Sequence, residues 1–82
     1  MLEKMTFPIA KIQVPVKRAK TLEAAKVTEI AESMLEEGQK TPIQLRAAGD
    51  KFVLVEGLHR LEALKALGED TVEGYLVQVR RH

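Results

Sequence analysis

The sequence predicts an α+β fold: a small mixed β-sheet with two main helices, in the order β-α-β-β-α-β. Two segments, about residues 22–37 and 58–67, carry apolar residues at helical spacing, and each is followed by a glycine. Short apolar runs bounded by turn residues lie between and around them, which is typical of strands. With 82 residues, the chain is expected to form a single domain, residues 1–82.

The composition excludes several classes of protein. Hydrophobic residues make up 45% and charged residues 30%, which is typical of a globular domain and not of a disordered chain. The net charge is +1, so the whole molecule is neither a strongly basic nucleic-acid coat nor an acidic tail. Cysteine is absent, which excludes disulfides, thiolate metal sites and cysteine nucleophiles. No apolar run approaches the length of a membrane span, and no signal peptide is evident, so we expect a cytoplasmic protein.

The first half of the chain predicts a strand, a basic connection and a helix. Residues 9–14 alternate apolar and polar side chains before Pro15, which indicates a short strand, and a basic connection follows at residues 16–20. Thr21 is the expected N-cap of the helix that ends at Gly38. Its buried face is predicted to consist of five apolar residues: Val27, Ile30, Ala31, Met34 and Leu35.

The second half predicts a hairpin, a helix and a last strand. Residues 43–47 alternate, residues 48–51 read as a turn, and residues 52–55 form an apolar run that predicts a strand covered on both faces. The second helix carries leucines three residues apart, at Leu58, Leu61, Leu64 and Leu67. Residues 72–79 are the expected last strand, and the basic end at residues 80–82 is expected to fray.

The turn between the hairpin and the second helix is the segment best suited to bind an anion. The first N–H groups of a helix lack intrahelical acceptors and lie at its positive end. Gly57 allows close approach of the backbone, Arg60 offers a bidentate donor and His59 a further one. Together these features predict phosphate binding, although a purely structural turn with a solvated arginine explains the same residues.

A polar stripe on the first helix adds candidate residues. Lys26, Glu29 and Ser33 recur at helical spacing beside the apolar face. The lysine and the hydroxyl could touch the phosphates or the sugar of a nucleotide. A solvated flank with a Lys26–Glu29 pair is the alternative interpretation.

Three segments together resemble the ParB/sulfiredoxin superfamily. They are Ile30-Ala31-Glu32-Ser33-Met34, the Thr41-Pro42-Ile43 strand start, and Gly57-Leu58-His59-Arg60 followed by Leu61-Glu62-Ala63. The resemblance covers about residues 8–79. It implies the ParB/sulfiredoxin-like fold and nucleotide binding at the Gly-x-His-Arg turn. Within this superfamily, ParB partition proteins bind CTP and slide on DNA, sulfiredoxins use ATP to repair over-oxidised peroxiredoxin, and an archaeal kinase phosphorylates free serine.

The resemblance implies phosphate-binding roles for Gly57, His59 and Arg60. In sulfiredoxins a helix of the form Lys-Val-x-Ser-x-x-x-Thr also faces ATP. Lys26 and Ser33 match its first and last polar positions, whereas Glu29 replaces the serine. Thr41 is a further phosphate-binding candidate.

Two departures from the relatives limit the function that the resemblance implies. Leu58 stands where sulfiredoxins carry their catalytic cysteine, so the reductase reaction is excluded. ParB proteins have Gly-Glu-Arg-Arg in the turn, where this chain has Leu58 and His59. They also continue into helix-turn-helix and dimerisation domains that this sequence does not contain, so recognition of a centromere-like DNA sequence is not expected.

The leading hypothesis is a small regulatory or DNA-maintenance module of the partition type. It would bind the phosphates of ATP or CTP, with or without Mg²⁺. DNA, a partner protein and a second copy of the chain remain open as partners, and no membrane association is expected.

One alternative is an ATP-dependent phosphotransferase or nuclease, for which Glu56 is the candidate base and Glu29 and Glu62 are further acids. Another is a DNA-binding module without nucleotide. It would use five basic residues: Lys17, Arg18, Lys20, Arg80 and Arg81. No metal site is expected, because His59 and His82 lack partners at ligand spacing.

Overall fold

A computed structural model describes residues 3–39 and 41–78 of the chain. The described part contains five strands, β1 (Lys4–Pro8), β2 (Ile12–Gln13), β3 (Ile43–Ala48), β4 (Lys51–Glu56) and β5 (Thr71–Leu76). It also contains three α-helices, α1 (Val16–Ala19), α2 (Ala24–Glu37) and α3 (Leu58–Ala66). The predicted mixed sheet with two main helices is therefore confirmed, and β1 and α1 are added to the predicted order.

The five strands form one sheet in the order β1-β5-β3-β4-β2. β1 pairs antiparallel with β5, and β3 pairs antiparallel with β4, which confirms the predicted hairpin. β3 runs parallel to β5 and β2 runs parallel to β4. The ends of β2 and β4 therefore point the same way, and the start of β3 lies beside the end of β4.

The core lies between one face of the sheet and the two long helices. Its fully buried large side chains come from β3, β4, β5 and α3: Ile43, Leu45, Leu54, Val72 and Leu61. The predicted leucine face of α3 is confirmed, since three of its leucines are buried and Leu67 packs against the cluster. Burying such a side chain contributes about 1.5–3 kcal/mol, so this face fixes α3 on the sheet.

The predicted strand over residues 9–14 is wrong for its first half. Residues 4–8 form β1, Ile9–Lys11 form a 3₁₀ turn, and only Ile12–Gln13 are strand. Ile9 and Ile12 are both buried and stand three residues apart, which matches a 3₁₀ turn rather than strand alternation. The Ile9 N–H donates to the Asp70 carbonyl at 2.9 Å and fixes the turn.

The prediction of Thr21 as the N-cap of the first helix is also wrong. Residues 16–19 of the predicted basic connection form the short helix α1, and the Thr21 hydroxyl donates to the Arg18 carbonyl at 2.7 Å. The helix α2 begins after Glu23 and ends at Gly38. Leu35, predicted to be buried, is 73% exposed, whereas Met34 is buried.

Two strand predictions need smaller corrections. In β4, Leu54 is buried and Phe52, which also packs against the core, is half-buried. Val53 and Val55 on the opposite face are half-buried, because the core lies on the Leu54 face. The predicted last strand over residues 72–79 begins one residue earlier and ends at Leu76. Its last predicted residue, residue 79, lies outside the described residues, as do Arg80, Arg81 and His82.

Candidate functional site at the start of α3

The turn from β4 into α3 is shaped by Gly57. This residue precedes α3 with φ 109° and ψ 32°, a backbone conformation that L side chains rarely adopt. A Cβ at Gly57 would lie 2.5 Å from Ile43 Cγ2 and 2.9 Å from Ile43 Cβ. Two features therefore require glycine at this position, the positive backbone angle φ and the close approach of Ile43 in β3. The Leu61 N–H donates to the Gly57 carbonyl at 2.9 Å and closes the first turn of the helix.

A cavity of about 480 Å³ opens at this turn. Its walls come from α1, α2, the start of β3, the end of β4 and the first turn of α3. The lining residues are Arg18, Thr21, Ile30, Thr41, Pro42, Gln44, Glu56, Gly57, Leu58, His59 and Arg60. Both arginines are half-buried. The first N–H groups of α3 have no acceptor within the helix, so this end of the cavity combines hydrogen-bond donors with positive charge.

His59 has a fixed hydrogen-bonding role at one nitrogen. Its Nε2 accepts a hydrogen bond of 3.0 Å from the Glu23 N–H, just before α2 begins. Because Nε2 accepts in this contact, Nδ1 is the ring nitrogen that is available to donate. His59 thus links the start of α3 to the start of α2 and keeps Nδ1–H as a donor.

Arg18 and Glu56 form an ion pair at the cavity. Arg18 Nη2 lies 3.1 Å from Glu56 Oε2 and donates a hydrogen bond to it. The side chains are 40% and 64% exposed, so water screens the pair. The proposed catalytic base Glu56 therefore lies at the predicted turn with an arginine as its partner.

The predicted binding residues divide into two groups. Thr41, Gly57, His59 and Arg60 come together around the cavity, whereas Lys26 and Ser33 are not among its lining residues. Instead, Lys26 Nζ lies 3.0 Å from Glu23 Oε2. The hydrogen bond from Lys26 and its positive charge lower the pKa of Glu23 below its usual value.

The sequence did not associate Arg18, Gln44 or Ile30 with the site. The parallel pairing of β2 with β4 explains Arg18, because it brings the chain after β2 alongside the chain after β4. The antiparallel pairing of Gln44 with Glu56 explains Gln44. The alternation of residues 43–47 predicted the hairpin, and this pairing could have placed Gln44 beside Glu56. No comparable pattern in the sequence marks α1.

Within residues 3–39 and 41–78, no three or more histidine, aspartate or glutamate side chains gather as metal ligands. The predicted acids Glu29 and Glu62 do not line the cavity at the start of α3, and Glu62 pairs with Lys65 at 3.0 Å. No helix in the same described part has the length and hydrophobicity needed to cross a membrane.

The sequence of the chain, including the turn into α3, matches one protein family. The sequence profile of the ParB N-terminal domain matches residues 3–82. The chain belongs to the ParB N-terminal domain family. No curated protein sequence matches it significantly.

Solved structures confirm the ParB/sulfiredoxin-like fold of this ParB N-terminal domain. Sulfiredoxin from Arabidopsis thaliana superposes with a TM-score of 0.83 at 26% identity, over 94% of this chain and 86% of sulfiredoxin. The C-terminally truncated chromosome-partitioning protein ParB from Caulobacter crescentus, in complex with CTP-γ-S, gives 0.81 at 22% identity over 95% of this chain. A free serine kinase variant in complex with ADP gives 0.80 at 19% identity over 92% of this chain.

This ParB N-terminal domain is shorter than two of these relatives. It spans 46% of the ParB chain and 31% of the kinase chain. Identities of 22% and 19% show that the fold is shared and do not show that the activities are shared.

Proposed function

We propose that this ParB N-terminal domain is a nucleotide-binding module that holds the phosphates of ATP or CTP at the turn into α3. The observation that carries the proposal is the cavity at the start of α3, which Arg18, His59 and Arg60 line beside a helix N-terminus. A volume of about 480 Å³ is in the range of small-molecule sites and exceeds the needs of a single small anion.

Each proposed binding residue has a separate role. Arg60 donates to the phosphates with a bidentate guanidinium, and the Thr41 hydroxyl and His59 Nδ1–H supply further donors. Gly57 places the backbone N–H groups of the first turn at the cavity. These contacts are made by the chain itself and need no metal ligand from the protein.

Lys26 and Ser33 are proposed to contact the part of a nucleotide beyond its phosphates. Ile30 lines the cavity, and Lys26 and Ser33 are four residues before and three after it on α2. Residues at this spacing share one face of a helix, so a ribose or base that extends from the cavity along α2 would approach both. Lys26 would then either break its ion pair with Glu23 or contact Glu23 and the ligand together.

We propose that Mg²⁺ accompanies the nucleotide instead of occupying a site built by the protein. Glu56 is the one acidic side chain that lines the cavity among the described residues, and Arg18 already holds it. A single paired carboxylate is a poor ligand set for a divalent cation, whereas phosphate oxygens bind Mg²⁺ well.

The biological role that we propose is regulatory, in DNA maintenance of the partition type. Membership in the ParB N-terminal domain family supports this role, and the CTP-γ-S complex of a ParB relative supports the ligand class. Binding of the nucleotide would change how the domain interacts with DNA or with a protein partner.

Titration calorimetry tests the proposal directly. The protein is titrated with ATP, ADP, CTP and GTP, with and without Mg²⁺, beside the variants Arg60→Ala and Arg46→Ala. Arg46 is the control, because it is also half-buried but does not line the cavity. We expect micromolar binding of one nucleotide that falls about ten- to a hundredfold in Arg60→Ala, given about 1.5–3 kcal/mol for a charge-assisted hydrogen bond. Absence of heat with every nucleotide, or equal binding by both variants, contradicts the proposal.

DNA binding without nucleotide is tested in the same way. Lys17 and Lys20 are exposed on and beside α1, while Arg18 between them pairs with Glu56. Two exposed lysines predict weak binding with a shallow salt dependence. Fluorescence anisotropy with labelled duplex DNA at two salt concentrations measures it. Tight binding that needs no nucleotide and survives Arg60→Ala would replace the nucleotide proposal.

A further inference from the structure

The ion pair between Arg18 and Glu56 joins two distant parts of the chain at the cavity. The two residues are separated by 38 positions, and their side chains meet at 3.1 Å between α1 and the end of β4. Both line the same cavity as Arg60. Arg18 therefore has two candidate anionic partners in one place: the carboxylate of Glu56 and any phosphate bound at α3.

The helix α1 is only lightly attached to the rest of the molecule. It has four residues and no buried side chain, and its first residue, Val16, is 73% exposed. Its local contacts are backbone hydrogen bonds and the Thr21 hydroxyl on the Arg18 carbonyl. Since no buried side chain anchors α1, the guanidinium of Arg18 can change partner at little cost to the fold.

We infer that Glu56 is the resting partner of Arg18 and is displaced by the outer phosphates of a polyphosphate ligand. The inference rests on the proposed nucleotide site and specifies its regulation. The first phosphate is held by Arg60 and the helix N-terminus, and a second or third phosphate exchanges with Glu56 for Arg18. Because this exchange breaks one ion pair to form another, Glu56 lowers the affinity for every ligand that uses Arg18.

Removal of the charge at Glu56 should therefore tighten binding. An exposed ion pair stabilises by about 0.2–1 kcal/mol, so Glu56→Gln is expected to raise the affinity for tripolyphosphate about 1.4- to fivefold at low ionic strength. Arg18→Gln is expected to lower it about tenfold and to leave the affinity for inorganic phosphate nearly unchanged. In the double variant Arg18→Gln/Glu56→Gln, most of the gain from Glu56→Gln should disappear.

The experiment is a calorimetric titration with inorganic phosphate, pyrophosphate and tripolyphosphate, which carry no base or sugar. Glu62→Gln is the matched control, because Glu62 is a carboxylate on α3 that pairs with Lys65 outside the cavity. It removes the same unit of charge and should change every affinity less than twofold. Thermal denaturation of each variant verifies that it is folded.

The outcomes separate this inference from the function on which it rests. If the unmodified protein binds neither tripolyphosphate nor any nucleotide, the proposed function is wrong. If it binds them but Glu56→Gln weakens binding or leaves it unchanged, the exchange is wrong while the site stands. The exchange is also wrong if the gain from Glu56→Gln persists in full without Arg18.

Discussion

Replacement of Gly57 by alanine tests whether the turn into α3 is held by close packing as well as by its backbone angle. The new Cβ would lie 2.5 Å from Ile43 Cγ2 and 3.3 Å from Ile43 Cα, and Ile43 is only 1% exposed. A side chain at positive φ costs about 1–2 kcal/mol. Overpacking of a buried site costs about 1–3 kcal/mol more. We therefore expect Gly57→Ala to lower the free energy of unfolding by about 2–5 kcal/mol.

Gly49→Ala is the matched control for this variant. Gly49 also has positive φ, 65°, but a Cβ added there would have no neighbouring atom within 4 Å. It should lose about 1–2 kcal/mol, from backbone strain alone. In a domain of this size each 1 kcal/mol lowers Tm by about 4–8 °C, so thermal denaturation resolves the two variants.

A double-mutant cycle with Ile43→Ala isolates the steric part of the loss. Ile43→Ala removes Cγ2, the atom nearest to the new Cβ, so Gly57→Ala should cost less in that background than in the unmodified protein. Equal losses in Gly57→Ala and Gly49→Ala, together with an additive cycle, would refute the packing argument and leave only the backbone angle.

Three further predictions concern stability and titration. Leu61→Ala should lower the free energy of unfolding by about 2–5 kcal/mol in urea denaturation, because Leu61 is fully buried, whereas Leu35→Ala at a 73% exposed position should change it by less than about 0.5 kcal/mol. Gln39→Ala should lower the free energy of unfolding by about 1–3 kcal/mol, because the Gln39 side-chain amide hydrogen-bonds both the N–H and the carbonyl of Glu73 in β5 at 3.0 Å. Unchanged stability would show that water replaces these hydrogen bonds. The pKa of Glu23 should lie below 4.5 in an NMR titration and rise towards 4.5 in Lys26→Ala. Because folding lowers this pKa, the ionised Glu23 stabilises the folded state above about pH 4.5, and this contribution is lost as pH falls through the folded-state pKa. A Glu23 pKa that does not respond to Lys26→Ala contradicts the pairing.

The parts of the fold that the sequence predicted well are those with strong local signals. Periodic apolar residues and a following glycine identified α2 and α3, and the alternation and turn around residues 43–56 identified the hairpin. The first strand was predicted wrongly because Ile12, Gln13 and Val14 alternate in polarity like a strand, although Ile9 and Ile12, three residues apart, are both buried and fit a 3₁₀ turn. The helix α1 failed because four basic and apolar residues carry no periodicity.

The candidate site was predicted in part for a similar reason. Gly57, His59 and Arg60 are adjacent in sequence, and the helix that they begin is local, so their convergence follows from one turn. Arg18 and Gln44 reach the same cavity through strand pairing, which sequence order does not specify. The contact of His59 with the Glu23 N–H likewise depends on how α2 lies against α3.

The two edges of the sheet affect how the protein behaves at high concentration. Exposed edge strands recruit further strands and promote aggregation, particularly when they are long and flat. Here one edge is β2, only two residues long and closely followed by Pro15, and the other is β1, which begins with Lys4 and ends with Pro8. Proline offers no N–H to a neighbouring strand, and a charged lysine opposes stacking of copies. The domain therefore offers little template for strand addition and should resist amyloid-like assembly.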